Sequence, residues 1–384
     1  MSFSWLLVGL AAVQGATASY QTIRLPNDAV VLVERTPKAS MITIQLFASS
    51  KFVPEATLTH GYRHLLEHLM ATASEADKEL EAAGGLMEAQ TYRDCMKYEI
   101  IAPSGALDAA VVALRRIVTP HTYGQDQIAT EVSTIRQELA LQDDADNLAN
   151  AGWKAAYGED GLSPGGDLDV MAQATPEDIQ SVQAATFCGP AVAVVVAGDV
   201  DTAVAAKLTA DAIAALPRSP DLPESHRPEG KPGNAQVQAS GEARCALVGG
   251  FDRPSCAARM AAALALASQL DGAFVTYTPT LEPGLVTLGR TDAGSGLAEY
   301  IDGLKREDME PLYQRGIALA RRWYQIQMST PAAEADLRAR LLCANDAIRP
   351  DAFLNQLNAV SLENFLDGVR AFQVKNAVTV LGGP

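Results

Sequence analysis

Gly61-Tyr62-Arg63-His64-Leu65-Leu66-Glu67-His68-Leu69-Met70 is the stretch on which the rest of the chain turns. His64 and His68 are four residues apart, so on a helix both imidazoles leave one face, at a separation that suits a single tetrahedral Zn²⁺. Glu67, three residues after His64, points towards the same ion and is positioned to take a proton from a water held there, whose pKa the metal lowers to about 7. Leu65, Leu66, Leu69 and Met70 supply the apolar side that seats the helix in a core.

A zinc peptidase site takes three protein ligands and leaves the fourth position to water. Glu131 and Glu138 are the candidates for the third. They lie seven apart, two helical turns, on one face of a helix expected over 124–141. One would ligate and the other would orient a histidine, and the spacing alone does not choose between them. His60, His121 and His226 have no partner at ligand spacing and read as structural or surface residues. Tyr92-Arg93-Asp94 fits a substrate-facing segment and a hairpin turn equally well. The five cysteines, Cys95, Cys188, Cys245, Cys256 and Cys343, show no Cys-x-x-Cys spacing, so neither a cysteine zinc site nor a dense disulfide scaffold is suggested, and buried free thiols are the default reading.

Working outward, β-rich segments alternate with amphipathic helices. Strands are expected at 21–25, 29–34 and 41–47, then the motif helix and a helix ending on Gly84-Gly85. A hairpin follows over 86–92 and 97–102, with helices at 106–118 and 124–141. Thr175-Pro176-Glu177-Asp178 caps a helix that leads to an apolar strand at 192–197. Ser361-Leu362-Glu363-Asn364 and a strand at 377–381 repeat that pairing at the end of the chain. Between the copies, a run with five prolines and no apolar period reads as a linker over 216–236. It separates a domain at 19–215 from a shorter one at 237–384, both α+β.

The chain of 384 residues exceeds what one core usually supports, in keeping with two domains. Its net charge of −16 disfavours nucleic acid and anionic lipid as partners. Residues 1–18 carry a short apolar run ending in Ala16-Thr17-Ala18, the pattern of a cleavable signal peptide. That run is too short for a stable membrane span. A periplasmic or secreted location follows.

The order His-x-x-Glu-His resembles the inverted zinc motif of the pitrilysin and insulinase family, which includes mitochondrial processing peptidase and its bacterial relatives. Glu79-Leu80-Glu81-Ala82-Ala83-Gly84-Gly85, the paired glutamates and the Pro164-Gly165-Gly166 turn also resemble that family, over about residues 20–200. The resemblance implies two similar halves, each an antiparallel or mixed sheet packed with helices. It implies His64, His68 and Glu138 as ligands of one Zn²⁺ per chain, Glu67 as general base, and Glu131 supporting the ligands from behind. It maps peptide binding to an exposed sheet edge over 86–91, through Glu88, Ala89 and Thr91; Glu88 stands where the family usually has Asn. In the second half, Tyr277 is the nearest match to a tyrosine that the family brings to the site, with Leu270 where an arginine is expected. The implied function is a zinc metalloendopeptidase for unstructured peptides. It would be the zinc-bearing member of a homo- or heterodimer whose other chain supplies an Arg-Tyr pair. The rival is a non-catalytic scaffold or assembly subunit of the same fold.

Overall fold

Valine and isoleucine runs with no polar interruption mark strands buried on both faces. The Val-Val-Leu-Val start of Val30–Arg35 and the whole of Val192–Gly198 are such runs, and the two strands lie side by side in the middle of a sheet. The computed structural model describes residues 19–218, 229–279, 284–292, 296–344 and 350–383. The leader expected over 1–18, the middle of the proline-rich stretch and His226 lie outside them.

In the first half the chain runs through β1 (Ser19–Arg24), β2 (Val30–Arg35), β3 (Met41–Ser49), α1 (Tyr62–Ser74), α2 (Ala76–Ala82), β4 (Leu86–Thr91) and β5 (Cys95–Pro103). Then come α3 (Leu107–Val118), α4 (Gln125–Leu139), α5 (Asp144–Tyr157), α6 (Leu168–Met171), α7 (Pro176–Thr186), β6 (Val192–Gly198) and α8 (Thr202–Ile213). The second half holds β7 (Gly233–Gln238), β8 (Glu242–Val248), α9 (Pro254–Ala267), β9 (Ala273–Thr276) and β10 (Gly284–Arg290). It closes with α10 (Leu297–Gly303), α11 (Met309–Gln327), α12 (Pro331–Ala344), α13 (Ala352–Asn358), α14 (Leu362–Arg370) and β11 (Val378–Gly383).

Two mixed sheets result, ordered β1-β2-β6-β3-β5-β4 and β7-β11-β8-β10-β9. In each, the last strand inserts between the first two of its core, parallel to one (β2, β7) and antiparallel to the other (β3, β8). The second sheet therefore repeats the first without β1, which gives the recurring helix-strand pair a structural meaning. Strand β7 begins at Gly233, inside the stretch read as linker. Its Gly-Asn-Ala-Gln sequence has little strand character of its own and is held by pairing with β11.

The halves exchange helices. On β3, Ile42, Ile44, Leu46 and Ala48 face the cluster that includes Leu65, Leu66 and Met70 of α1, whereas Phe47 faces the other way, onto Ala335, Ala339 and Cys343 of α12. On β8, Ala246 and Val248 face α9, while Ala243 and Cys245 face Leu148, Trp153 and Tyr157 of α5. A Cβ on Gly152 would collide with Cys245 Sγ, so glycine is what lets α5 lie this close to the second sheet. Helix α12 is fixed to the first sheet by half-buried ion pairs and the buried Arg340. Asp336 pairs with Lys97 at 2.5 Å and Arg338 with Glu34 at 3.0 Å. The Arg340 guanidinium sits 4.0 Å from the Tyr92 ring centroid and 3.9 Å from Asp94.

Candidate metal centre

Helix α1 starts abruptly. Gly61 at its N-terminus has φ 96°, and a Cβ there would lie 2.9 Å from the Cα of Gly166, itself at φ 87°. Two glycines in the left-handed region thus press backbone against backbone, bringing the 163–167 loop onto the start of the helix. Gly61 has no side chain to cap with, and Glu55 supplies the carboxylate: one oxygen accepts Gly61 N–H at 3.0 Å, the other Arg63 Nε–H at 3.0 Å. Arg63 is fully buried and also donates to the carbonyl of Arg93, at 2.9 Å, in the turn between β4 and β5.

That framework aims the histidines. His64 Nδ1 lies 3.0 Å from the carbonyl oxygen of Gly165, leaving Nε2 to face Glu138 Oε2 at 3.5 Å. His68 presents Nε2 to the same Glu138 oxygen at 3.2 Å and Nδ1 to Glu131 Oε2 at 3.4 Å. Thr72 donates to the other oxygen of Glu131 at 3.0 Å. On α4, Ile128, Val132 and Ile135 are buried, which turns both glutamates towards α1. Glu131 is sheltered, at 13% side-chain exposure, and reaches the back of His68; Glu138, at 55%, reaches the open side between the two rings.

Donor atoms of His64, His68 and Glu138 lie within 4.8 Å of one another. Two ligands bound at about 2.0–2.1 Å to a tetrahedral ion are about 3.3 Å apart, so the two His–Glu138 separations suit a zinc-sized ion with little movement. Glu67 stands beside them. Its Oε2 accepts the Thr91 hydroxyl at 2.6 Å, and its backbone carbonyl accepts Tyr98 O–H at 3.4 Å. Burial pushes the Glu67 carboxyl above the ordinary range, against the Thr91 hydrogen bond and the nearby His64, with Glu138 adding to the rise.

Residues 30–163, which hold His64, Glu67, His68, Glu131 and Glu138, match the family described as Insulinase (Peptidase family M16). The chain carries an M16-family domain. An uncharacterized zinc protease of Mycobacterium leprae is 24% identical over 187 residues, 46% of this chain and 42% of the relative. The chain spans less than half the length of the curated relatives it matches. Among solved structures, a protease from Helicobacter pylori superposes with TM-score 0.81 at 17% identity, covering 96% of this chain and all of the other. A peptidase M16 inactive domain from Pseudomonas fluorescens superposes with TM-score 0.71 at 17% identity, over 95% and 99% of the two chains. At these identities the superpositions speak for the fold alone.

Within the M16 domain, β4 is the outer strand of its sheet, pairing with β5 on one side. Its alternation separates the residues expected to meet substrate. Ala89 and Thr91 turn to the metal side and line a cleft of about 300 Å³ together with His64, Glu67 and Glu138. Glu88 is exposed on the opposite face, across from Glu99, so its backbone but not its side chain belongs to that edge.

Tyr277 is placed elsewhere. Its hydroxyl is 3.0 Å from Cys256 Sγ and its ring packs 5.9 Å from Trp323, within the core of the second half; it does not line the cleft. Leu270 packs against that same core. His121 Nε2 contacts the carbonyl of Arg116 at 3.0 Å, a structural role. His60 does more than its sequence suggests, since its Nε2 lies 2.8 Å from the carbonyl of Ser163, in the loop that orients His64. The Gly165 carbonyl, Glu55 and Arg63 were not legible as site-building groups. The one available signal was the density of glycine around 61 and 165–166.

Proposed function

We propose that this chain is a zinc metalloendopeptidase hydrolysing unstructured peptides. The observation that carries the reading is the convergence of His64 Nε2, His68 Nε2 and Glu138 Oε2 beside a buried Glu67, next to an outer sheet strand. In it, His64, His68 and Glu138 hold the ion, and Glu131 fixes His68 through its second nitrogen, as the Gly165 carbonyl fixes His64. Bound zinc would polarise the scissile carbonyl and acidify a water. Thr91 occupies one oxygen of Glu67 and leaves the other to accept a proton and hand it to the leaving amine. Burial, which raises that carboxyl, favours its holding the proton between the two transfers. The backbone of β4 would pair with an extended peptide, giving binding tolerant of sequence.

In the same reading the chain is exported by its leader and works in a dimer. Tyr277 is engaged with Cys256 and Trp323, which favours supply of an Arg-Tyr pair by a second, homologous chain. No helix among the described residues is long and apolar enough to cross a membrane. The rival is a non-catalytic subunit of the same fold, a fold that a peptidase M16 inactive domain from Pseudomonas fluorescens shares. Metal analysis beside digestion of a quenched peptide, for wild type and Glu67→Gln, with and without a homologous partner, separates the two. Stoichiometric zinc with hydrolysis lost only in the variant supports the enzyme. Zinc without hydrolysis under either condition removes the catalytic reading.

A further inference from the structure

The cleft continues past the ligands. Helix α4 ends one residue after Glu138, and the Leu141 N–H donates to the Glu138 carbonyl at 2.9 Å, so the position of Leu141 is tied to that of the candidate ligand. Leu139 and Leu141 form a wall of the cleft that Ala89 and Thr91 also line. Leu139 is half-buried and packs on the histidine-orienting loop; a Cβ on Gly165 would come 2.7 Å from its Cδ2. Leu141 is 82% exposed, second only to Leu58 among the exposed large apolar side chains of the described residues.

A lone exposed leucine is ordinary. This one sits on the lip of a polar cleft, beside a half-buried leucine and three residues along the chain from Glu138, the candidate ligand. We propose that Leu141, backed by Leu139, is a specificity-determining residue that seats an apolar side chain of the bound peptide. The peptides selected are then unfolded segments with an aliphatic or aromatic residue within one or two positions of the scissile bond. This rests on the peptidase reading above. A basic side chain is the competing occupant, because Asp146 also lines the cleft and, among the described residues, no Lys or Arg does. Asp146, however, is engaged at the start of α5, where its carboxylate accepts Asp143 N–H at 3.4 Å and meets the positive end of the helix dipole.

The test uses unstructured peptides that differ at one position, swept through apolar, basic and acidic residues. They are offered to the zinc-loaded chain and to Leu141→Asp, with cleavage sites read by mass spectrometry. Binding of the same peptides to zinc-loaded Glu67→Gln, with and without Leu141→Asp, is read by fluorescence anisotropy. The expected result is a preference for apolar over acidic residues of about tenfold that Leu141→Asp abolishes and Leu141→Phe retains, with melting temperature unchanged. The same profile in Leu141 and Leu141→Asp proteins overturns the proposal, as does a preference for basic residues that only Asp146→Asn removes. If nothing is cleaved yet the binding profile still depends on Leu141, the hydrolytic reading fails and the subsite stands.

Discussion

His68 uses both ring nitrogens, one towards Glu138 and one towards Glu131, and this asymmetry separates two glutamates that their spacing left equivalent. Glu131→Gln should weaken zinc binding by about 10- to 100-fold, whereas Glu138→Ala, which removes the donor, should weaken it further; competition with a chromophoric chelator measures both. Equal losses would mean that the two carboxylates share the ion. Thr91→Val removes the hydroxyl from the buried Glu67. A hydrogen bond to a charged group contributes about 1.5 kcal/mol, so kcat should fall about tenfold with KM nearly unchanged. The motif itself was legible because its chemistry is carried by side chains at helical spacing. What orients His64 was not, since a backbone carbonyl serves from whichever residue the loop places there.

At the scale of elements, the start of α1 depends on the Gly61–Gly166 contact. Gly166→Ala should cost about 1–3 kcal/mol in stability, since it must both leave the left-handed region and clear Gly61. Zinc affinity should drop with it, because the loop carrying the Gly165 carbonyl moves; thermal unfolding and metal competition follow the two effects separately. Helix α12 makes a second case. Arg340→Ala would strand Asp94 and empty the space over Tyr92 and Phe47, and denaturant unfolding should register a loss of roughly 3 kcal/mol. The strands and helices that the sequence did yield, mostly in the first half, were legible from period and caps, as with Thr175 and Ser361, whose side chains accept from Asp178 N and Asn364 N. The destination of a helix was not. The buried face of α5 (Leu148, Trp153, Tyr157) is apolar in a way that fits either sheet, and only Gly152 hinted at a close neighbour.

For the whole molecule, the exchange of α5 and α12 means that the sequence halves are not folding halves. A fragment ending at residue 218 lacks α12 and would leave Leu32, Phe47 and Val195 of the first sheet uncovered. It should bind a hydrophobic dye and unfold without a sharp transition, while the full chain unfolds cooperatively. A fragment with a sharp transition near that of the full chain would contradict this. The repeated sheet topology was faintly legible as one recurring helix-strand pair. Tyr277 was not placed by sequence, because a tyrosine's distance along the chain says nothing of which core receives its ring.

The most direct measurement is reconstitution. The chain is stripped with a chelator, mixed with its homologous partner where one is needed, and titrated with zinc while a quenched unstructured peptide reports hydrolysis. Activity should rise linearly and level off at one zinc per chain, with Glu67→Gln taking up the same zinc and staying about 10²- to 10⁴-fold less active. Hydrolysis that survives chelation, or a chain that binds zinc at these residues and cleaves nothing with or without its partner, would contradict a zinc peptidase built on His64, His68 and Glu138.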